Sequence, residues 1–421
     1  MAIQQCRANQ YLGRLLQRCS IDHLKQRLIP KLDSPARNIP RDPRISDKTI
    51  ARRWHVLAPD PSVQQQLLDS HTQTQQDIYQ RNIENFIGTV KLPVGIAGPL
   101  RINGLFAQGD YYIPLATSEA ALVASYNRGM NLMSKAGGCT AMLLNEGVSR
   151  APGFAFKSLV DAGAFVAWAV SQLDAFKGLA EATTRFGKLQ DMRITVEGNH
   201  VYLNFEYLTG DASGQNMVTI ATHAIFEYIK EKTPINIKYA FIEANLSGDK
   251  KASAQSFQSV RGKKVTAEVV ISAELVKKTL YTTTTRMVDY WRMSALGGVL
   301  SGTIGVQGHY ANGLAALYIA CGQDAACVSE SSVGVTRFEI TAEGDLYASV
   351  TLPNLIVGTV GGGTGLPSQR ACLDIMGLAG QGKAQALAEV CAAVALAGEL
   401  SIIGALCADH FARAHQQLAR G

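Results

Sequence analysis

What the chain lacks narrows it first. It has no Cys-x-x-Cys, and its eight cysteines (Cys6, Cys19, Cys139, Cys321, Cys327, Cys372, Cys391 and Cys407) follow no framework spacing. That argues against a disulfide-stapled fold and a cysteine metal site, so the thiols read as reduced and mostly buried, in a cytoplasmic protein with no bound metal. The N-terminus has no apolar signal core. The most apolar C-terminal run, Val390 to Gly398, is closed by Glu389 and Glu399, far short of the ~20 residues of a spanning helix. A soluble protein with no membrane partner is expected. No segment repeats at a fixed period, which removes solenoids and propellers. Aromatics are scarce where they would matter for nucleic acid. The first 60 residues hold twelve Lys or Arg against five Asp or Glu, but only Tyr11 and Trp54 as aromatics, while the remainder is balanced at 28 against 29. With Leu12, Leu15, Leu16, Leu24 and Leu28 at helical spacing, this basic segment reads as a solvated helical face and no nucleic-acid partner is expected.

What is present is the balance of an ordinary globular protein, with 47% hydrophobic and 18% charged residues. Residues 1–83 alternate helical patterning with prolines (Pro30, Pro35, Pro40, Pro43, Pro59, Pro61) and read as a small helical arm. Gly and Pro punctuation from Glu84 to Leu100 suits short strands and turns, before Ser118 opens an apolar-periodic helix. Residues 151–243 alternate helix (Leu159 to Leu179), strand (192–196), strand (200–207), helix (217–232) and strand (235–243), a compact α+β unit inserted into a larger domain, 84–150 and 254–421. A polar connector, 244–253, leads on to Ala/Gly/Leu-rich helices over 266–322, a hairpin at 337–342 and 346–352, and a long Ala-rich helix over 384–418. The fold class is α+β: a helix-rich large domain, an inserted smaller domain and an N-terminal helical arm.

The densest glycine cluster is Gly358-Thr359-Val360-Gly361-Gly362-Gly363-Thr364-Gly365. It signals close backbone approach, yet it fits neither G-x-G-x-x-G nor G-x-x-x-x-G-K-[ST], so it is neither a Rossmann fingerprint nor a P-loop.

Four side chains stand out chemically. Glu119 is the only carboxylate in Pro114 to Ser125; near a helix start it is either a first-turn carboxylate or a desolvated proton donor. Lys250, in Asn245-Leu246-Ser247-Gly248-Asp249-Lys250-Lys251, belongs to a solvated turn or to a clamp that polarises a carbonyl. Asp324, alone among small apolar residues, is either a helix N-cap or the partner of a buried lysine. His415 reads as a surface histidine on a terminal helix, or as a general acid on a tail that closes over a site.

Taken in order, Glu84-Asn85-Phe86-Ile87-Gly88, Pro93-Val94-Gly95-Ile96-Ala97-Gly98-Pro99-Leu100, the Glu119 segment, Asp249-Lys250-Lys251, Gly322-Gln323-Asp324-Ala325-Ala326 and Gly358 to Thr364 resemble the 3-hydroxy-3-methylglutaryl-CoA (HMG-CoA) reductase family. The resemblance runs from about residue 84 to His415 and is to the biosynthetic, archaea- and eukaryote-like class. It implies reduction of (S)-HMG-CoA to mevalonate and CoA by two hydride transfers from NADPH, in isoprenoid biosynthesis. It places the family's catalytic glutamate, lysine, aspartate and histidine on Glu119, Lys250, Asp324 and His415. Around the hydroxymethylglutaryl group it places Arg150, Ser247, Asp249, Lys251 and Asn312, with Ser125, Asn127 and Arg128 beside CoA. The inserted unit then corresponds to a ferredoxin-like NADP-binding domain. Thr184, Arg185 and Phe186 match the segment meeting the adenosine 2′-phosphate, and Asp211, Ala212, Ser213, Gly214, Gln215, Asn216 and Met217 the nucleotide loop. Gly361 and Gly362 would pass close to the nicotinamide. A homodimer or homotetramer with its active site at the subunit interface is also implied. The chain departs from the family where Tyr290-Trp291-Arg292-Met293-Ser294 replaces an Asn-x-x-Lys-Asn run, with Ser294 in the lysine's place. Ser213 replaces the loop methionine, and Gln307 an asparagine. The alternatives are a reductase of another branched acyl-CoA and a non-catalytic CoA- or nucleotide-binding descendant.

Overall fold

A computed structural model describes residues 5–31, 37–42 and 44–408, and the chain divides into two compact units, 1–89 and 90–421. His415 lies outside the described residues. The first unit contains the helices α1 (Gln5–Arg18), α2 (Ile21–Leu28), α3 (Asp47–Leu57), α4 (Pro61–Leu67) and α5 (Ser70–Thr74). Side-chain oxygens on Ser20, Ser46, Asp60 and Asp69 start α2 to α5 by accepting backbone N–H groups that the helices leave free. Its core is Ile45, Ile50, Trp54 and Phe86. The fully buried Arg53 guanidinium donates to three carbonyls, Pro40 O, Asp42 O and Phe86 O, and the Trp54 indole donates to Ile87 O. The segment 84–89 is therefore bound into the first unit, which extends past the boundary at 83 expected from composition.

The second unit contains strands β1 (Val94–Gly104), β2 (Gln108–Ala116), β3 (Cys139–Arg150), β4 (Gly153–Ala155), β5 (Lys188–Glu197), β6 (His200–Leu208), β7 (Tyr239–Phe241), β8 (Gly262–Ile271), β9 (Val335–Ile340) and β10 (Leu346–Leu355). They join in one sheet ordered β7-β4-β6-β3-β8-β10-β9, with β5 beside β6 and the β1–β2 hairpin attached to β3. The helices are α6 (Leu122–Lys135), α7 (Leu159–Ser171), α8 (Leu173–Ala182), α9 (Gln215–Lys232), α10 (Ala273–Leu280), α11 (Thr284–Ser301), α12 (Tyr310–Ala320), α13 (Val328–Ser331), α14 (Pro367–Ile375) and α15 (Ala384–Cys407).

Strands β5, β6, β4 and β7 pair antiparallel in that spatial order. With α7, α8 and α9 they enclose an aromatic core of Phe154, Phe156, Phe165, Phe176 and Phe205. The larger core surrounds α15, which is buried along nearly its whole length. This is the one described helix long and apolar enough to cross a membrane, and it is packed inside protein. Its two acids explain why. Glu389 accepts the backbone N–H groups of Leu105, Phe106, Ala107 and Leu143, and Glu399 those of Gly308 and His309. Fully buried carboxylates in this helix thus tie down strand and loop backbone that would otherwise be orphaned.

Three expectations change. Residues 266–271 are strand, because Val265, Ala267, Val269 and Ile271 are buried at period two. The helix expected from Leu159 to Leu179 is broken at Gln172 with a 62° bend. The helix near Glu119 begins only at Leu122, behind Ala121 in a left-handed conformation. The described thiols are free and, Cys19 apart, buried; burial pushes Cys391 up to about 12, which makes it inert as a nucleophile.

Candidate active site

The connector after β7 turns sharply: Asn245, Gly248 and Lys250 all have positive φ, at 69°, 73° and 56°. That geometry projects the lysine out of the turn, where its Nζ lies 2.9 Å from Asp324 Oδ2. The hydrogen bond that the ammonium donates to Asp324 holds it above its ordinary pKa. Asp324 also accepts from Ala326 N and so caps a short helical turn. Both readings of this residue hold at once, except that the lysine is not buried. Lys250 and Asp324 are 46% and 40% exposed, leaving the ammonium open to an incoming oxygen.

The second pair lies beyond the other end of α12. Glu119, in the loop ahead of α6, accepts from Asn312 Nδ2 at 3.2 Å on both oxygens. Glu119 precedes α6, which starts at Leu122, and is exposed, so it is neither a first-turn nor a desolvated carboxylate in this chain alone. Asn312 is in the first turn of α12 and Asp324 follows its last. At 1.5 Å per residue the eight residues from Asn312 to Ala320 alone span roughly 12 Å. Next to Asn312, His309 stacks on Tyr126 with ring centroids 5.6 Å apart, and its Nδ1 lies 3.6 Å from Glu399.

Beneath the lysine loop lies a dry network. Arg150 donates to Glu243 and to Asp249 Oδ2 at 3.2 and 3.0 Å. Arg261 donates to Asp249 Oδ1 at 2.6 Å, Glu330 Oε2 at 2.5 Å, Gln215 Oε1 at 3.1 Å and Ser149 O at 2.7 Å. Burial raises the Asp249 carboxyl, but Arg261 and Arg150 together outweigh it and leave the group below the ordinary carboxylate range. Burial dominates at Glu330 and leaves it above that range. Ser247 donates to Glu243, whereas Lys251 folds back on its own loop, donating to Asp249 O.

The residues expected beside CoA lie on α6. Ser125 and Arg128 are hydrogen-bonded to Ser401 of α15, and Asn127 Oδ1 accepts from Gly98 N. The two segments expected to hold a nucleotide come together. Thr184 Oγ1 accepts from Phe186 N and Gly187 N, and that turn packs so tightly on Met217 that a Cβ at Gly187 would lie 2.6 Å from its sulfur. Arg185 and Phe186 stay exposed. Asp211, by contrast, is occupied structurally: its oxygens accept from Gly382 N, Lys383 N and Ala384 N and cap α15.

The glycine cluster divides by function. A Cβ at Gly358 would meet Ser213 N at 2.5 Å, and one at Gly363 would meet Gly322 O at 2.7 Å. These glycines dock the cluster against the loop 211–217 and the Asp324 turn. Gly361 and Gly362 face open space, and their positive φ, not a protein neighbour, requires glycine.

Residue similarity settles the family. The description of hydroxymethylglutaryl-coenzyme A reductase fits residues 49–420. The chain belongs to the HMG-CoA reductase family. It is 45% identical to the 3-hydroxy-3-methylglutaryl-coenzyme A reductase of Pyrococcus abyssi, over 81% of this chain and 85% of that one. The enzyme of the same name from Methanothermobacter thermautotrophicus is 46% identical over 81% of this chain and 86% of its own. The solved class II HMG-CoA reductase of Streptococcus pneumoniae, bound to NADPH in open conformations, shares the fold with a TM-score of 0.64 at 19% identity, over 86% of this chain and all of that one. HMG-CoA reductases thus frame the site, yet Arg261, Glu330 and Glu399 were not singled out from sequence. Glu330 and Glu399 each carry the signal of an acid standing alone among small or apolar residues, whereas Arg261, followed by Lys263 and Lys264, carries none.

Proposed function

We propose that this protein is an NADPH-dependent oxidoreductase that reduces (S)-HMG-CoA to mevalonate and CoA, and that Glu119, Lys250, Asp324 and His415 carry the chemistry. The observation that carries this reading is the accessible Lys250–Asp324 pair on a loop whose conformation is set from below by Asp249 and Arg261. An ammonium held charged by an aspartate and open on one side suits the oxygen on which negative charge grows as a thioester carbonyl is reduced. Arg150 and Ser247, both buried at the loop base, supply cationic and hydroxyl recognition for the acyl group's terminal carboxylate. Lys251, Asp249 and Asn312 complete that pocket, with Ser125, Asn127 and Arg128 toward CoA.

The chain fits a dinucleotide on its own geometry. Exposed Arg185 beside Thr184 suits a 2′-phosphate, the N-terminus of α9 behind Gly214 suits a pyrophosphate, and Gly361 and Gly362 leave a cradle that side chains would fill. NADPH, when bound, supplies the hydrides. Glu119 is the proton source for the alcohol oxygen, and His415 protonates the departing thiolate. The order β5-β6-β4-β7 with its helices supports a ferredoxin-like nucleotide domain.

The site is completed by a second copy. Glu119–Asn312 and Lys250–Asp324 stand at opposite ends of α12, so one substrate carbon is served by both only if the pairs come from different subunits. On α11, Met293, Leu296, Val299 and Leu300 are each at least 67% exposed, a suitable apolar face for a homodimer or homotetramer. A cytoplasmic location follows the same reading.

Purified protein is expected to oxidise two NADPH per HMG-CoA and release mevalonate. Lys250→Ala should lower turnover by about 10²–10³-fold with unchanged circular dichroism. An unchanged rate would remove the lysine's role; good turnover of another branched acyl-CoA but not of HMG-CoA would replace the substrate.

A further inference from the structure

Arg261 has no place in the chemistry above, yet it is bonded to two residues assigned to the site, Asp249 and Gln215. Its side chain is 4% exposed and its planar fork is filled on every edge. Nε meets Glu330, itself fully buried; Nη1 meets the carbonyl of Ser149 in β3; Nη2 meets both Asp249 Oδ1 and Gln215 Oε1. Asp249 belongs to the lysine loop, and Gln215 opens α9 at the end of the nucleotide loop. One guanidinium nitrogen therefore joins the two loops.

Arg150 contacts the same two acceptors from a different position. It reaches Asp249 Oδ2 at 3.0 Å and Gln215 Oε1 at 3.5 Å. The arginines differ in commitment. Arg261 is anchored by Glu330 and Ser149, which face it from α13 and β3, whereas Arg150 Nε is buried with no partner. An unpaired buried donor is costly and is relieved by an acceptor brought from outside. Arg150 is paired to Glu243 and Asp249 through one nitrogen but keeps a buried donor unused, so it is the arginine with capacity for an anionic ligand, and Arg261 the one that stays.

We propose that Arg261 is a positioning residue that makes the acyl-binding and nucleotide-binding loops a single mechanical unit, so that each ligand tightens the binding of the other. The inference rests on the reductase reading, because it takes an acyl carboxylate as the ligand of Arg150. When Arg150 swings to that carboxylate, its hold on Asp249 and Gln215 weakens, and Arg261 alone keeps Lys250's loop and the start of α9 in register. Coupling of this kind is reciprocal: whatever factor the acyl-CoA contributes to nucleotide affinity, the nucleotide returns.

A non-reacting ternary complex measures it. NADP⁺ and HMG-CoA are both in the oxidised state, so they bind together without turnover. Calorimetric titration of the full-length protein with NADP⁺, alone and at saturating HMG-CoA, should show about fivefold or greater tightening by the thioester. In Arg261→Met the NADP⁺ affinity should become the same with and without HMG-CoA, and Arg261→Lys, which cannot hold the fork, should recover only part of the tightening. Gln215→Leu is the second route should the arginine variants fail to fold. It cuts the same link on the nucleotide side while Arg261 keeps Glu330 and Asp249, and it should also abolish the tightening. A purely structural arginine would weaken both affinities and leave their ratio untouched, and that outcome overturns the proposal, as does a wild-type protein with no tightening. Wild-type protein that binds neither ligand fails the reductase reading itself and the proposal with it.

Discussion

The two ion-pair systems on either side of the lysine loop differ in solvent. Lys250–Asp324 is nearly half exposed, whereas Arg261–Glu330 is dry at 4% and 0%. In the wet pair a displaced partner is replaced by water at little cost; in the dry pair any loss leaves a desolvated charge. The difference separates two tasks. On the proposed mechanism, the groups that exchange partners during the reaction sit where exchange is cheap, and those that hold position sit where movement is expensive.

The most direct way to break this contrast is to empty one side of the dry pair. Glu330→Ala leaves Arg261 with Asp249, Gln215 and Ser149 O but without its buried counter-charge, and should destabilise the fold by roughly 3 kcal/mol. Urea unfolding measures it. A loss below that of an exposed pair, about 1 kcal/mol or less, would mean that water reaches Glu330 and that the two regions are not different in kind.

A smaller effect is expected from Asp324→Asn, and it should appear in pH dependence instead of stability. The Asp324 hydrogen bond raises the Lys250 pKa, so the ammonium's stabilising contribution is complete below the unfolded lysine value and is lost as pH rises through the folded one. Exposure limits that contribution to about 1 kcal/mol or less. Removing Asp324 lowers the lysine's pKa, so the alkaline limb of kcat/KM should move to lower pH while the urea midpoint hardly changes. An alkaline limb at its wild-type position would show that Lys250 is not the group titrating there.

Much of the wet side was legible in the sequence, because Asp249-Lys250-Lys251, Gly322 to Ala326 and the Glu119 segment are contiguous strings. The dry side was not. Arg261 finds Glu330 69 residues away and Ser149 112 away, and no periodicity within one window carries that pairing. Val260 to Lys264 fell between the polar connector, 244–253, and the helices expected over 266–322, although it leads into β8, whose alternating Val265, Ala267, Val269 and Ile271 gave a period-two signal outweighed by the Ala- and Leu-rich chain that follows. The glycine cluster illustrates the same limit. Its composition announced a close approach, but only the fold assigns that approach to Gly358 and Gly363 against protein backbone and leaves Gly361 and Gly362 open.

The mildest test concerns backbone, where the wet side carries strain of its own. Ala121, two residues after Glu119, has φ 68°, and Lys250 has φ 56°. A left-handed non-glycine residue costs about 1–2 kcal/mol, and such conformations persist only where the surroundings enforce them. Ala121→Gly removes that cost but gives back roughly 0.5–1 kcal/mol of chain entropy, so a net stabilisation of about 0.5 kcal/mol is expected. Activity should move the other way. The strained turn fixes how Glu119 meets Asn312, and a glycine there widens the range of carboxylate positions, so kcat should fall several-fold with KM nearly unchanged. A variant that loses stability would mean that Ala121 is not strained, and one that gains stability with full kcat would mean that the turn does not aim the carboxylate. Full kcat in the stabilised variant would mean that the precision of the wet side does not come from the loop itself.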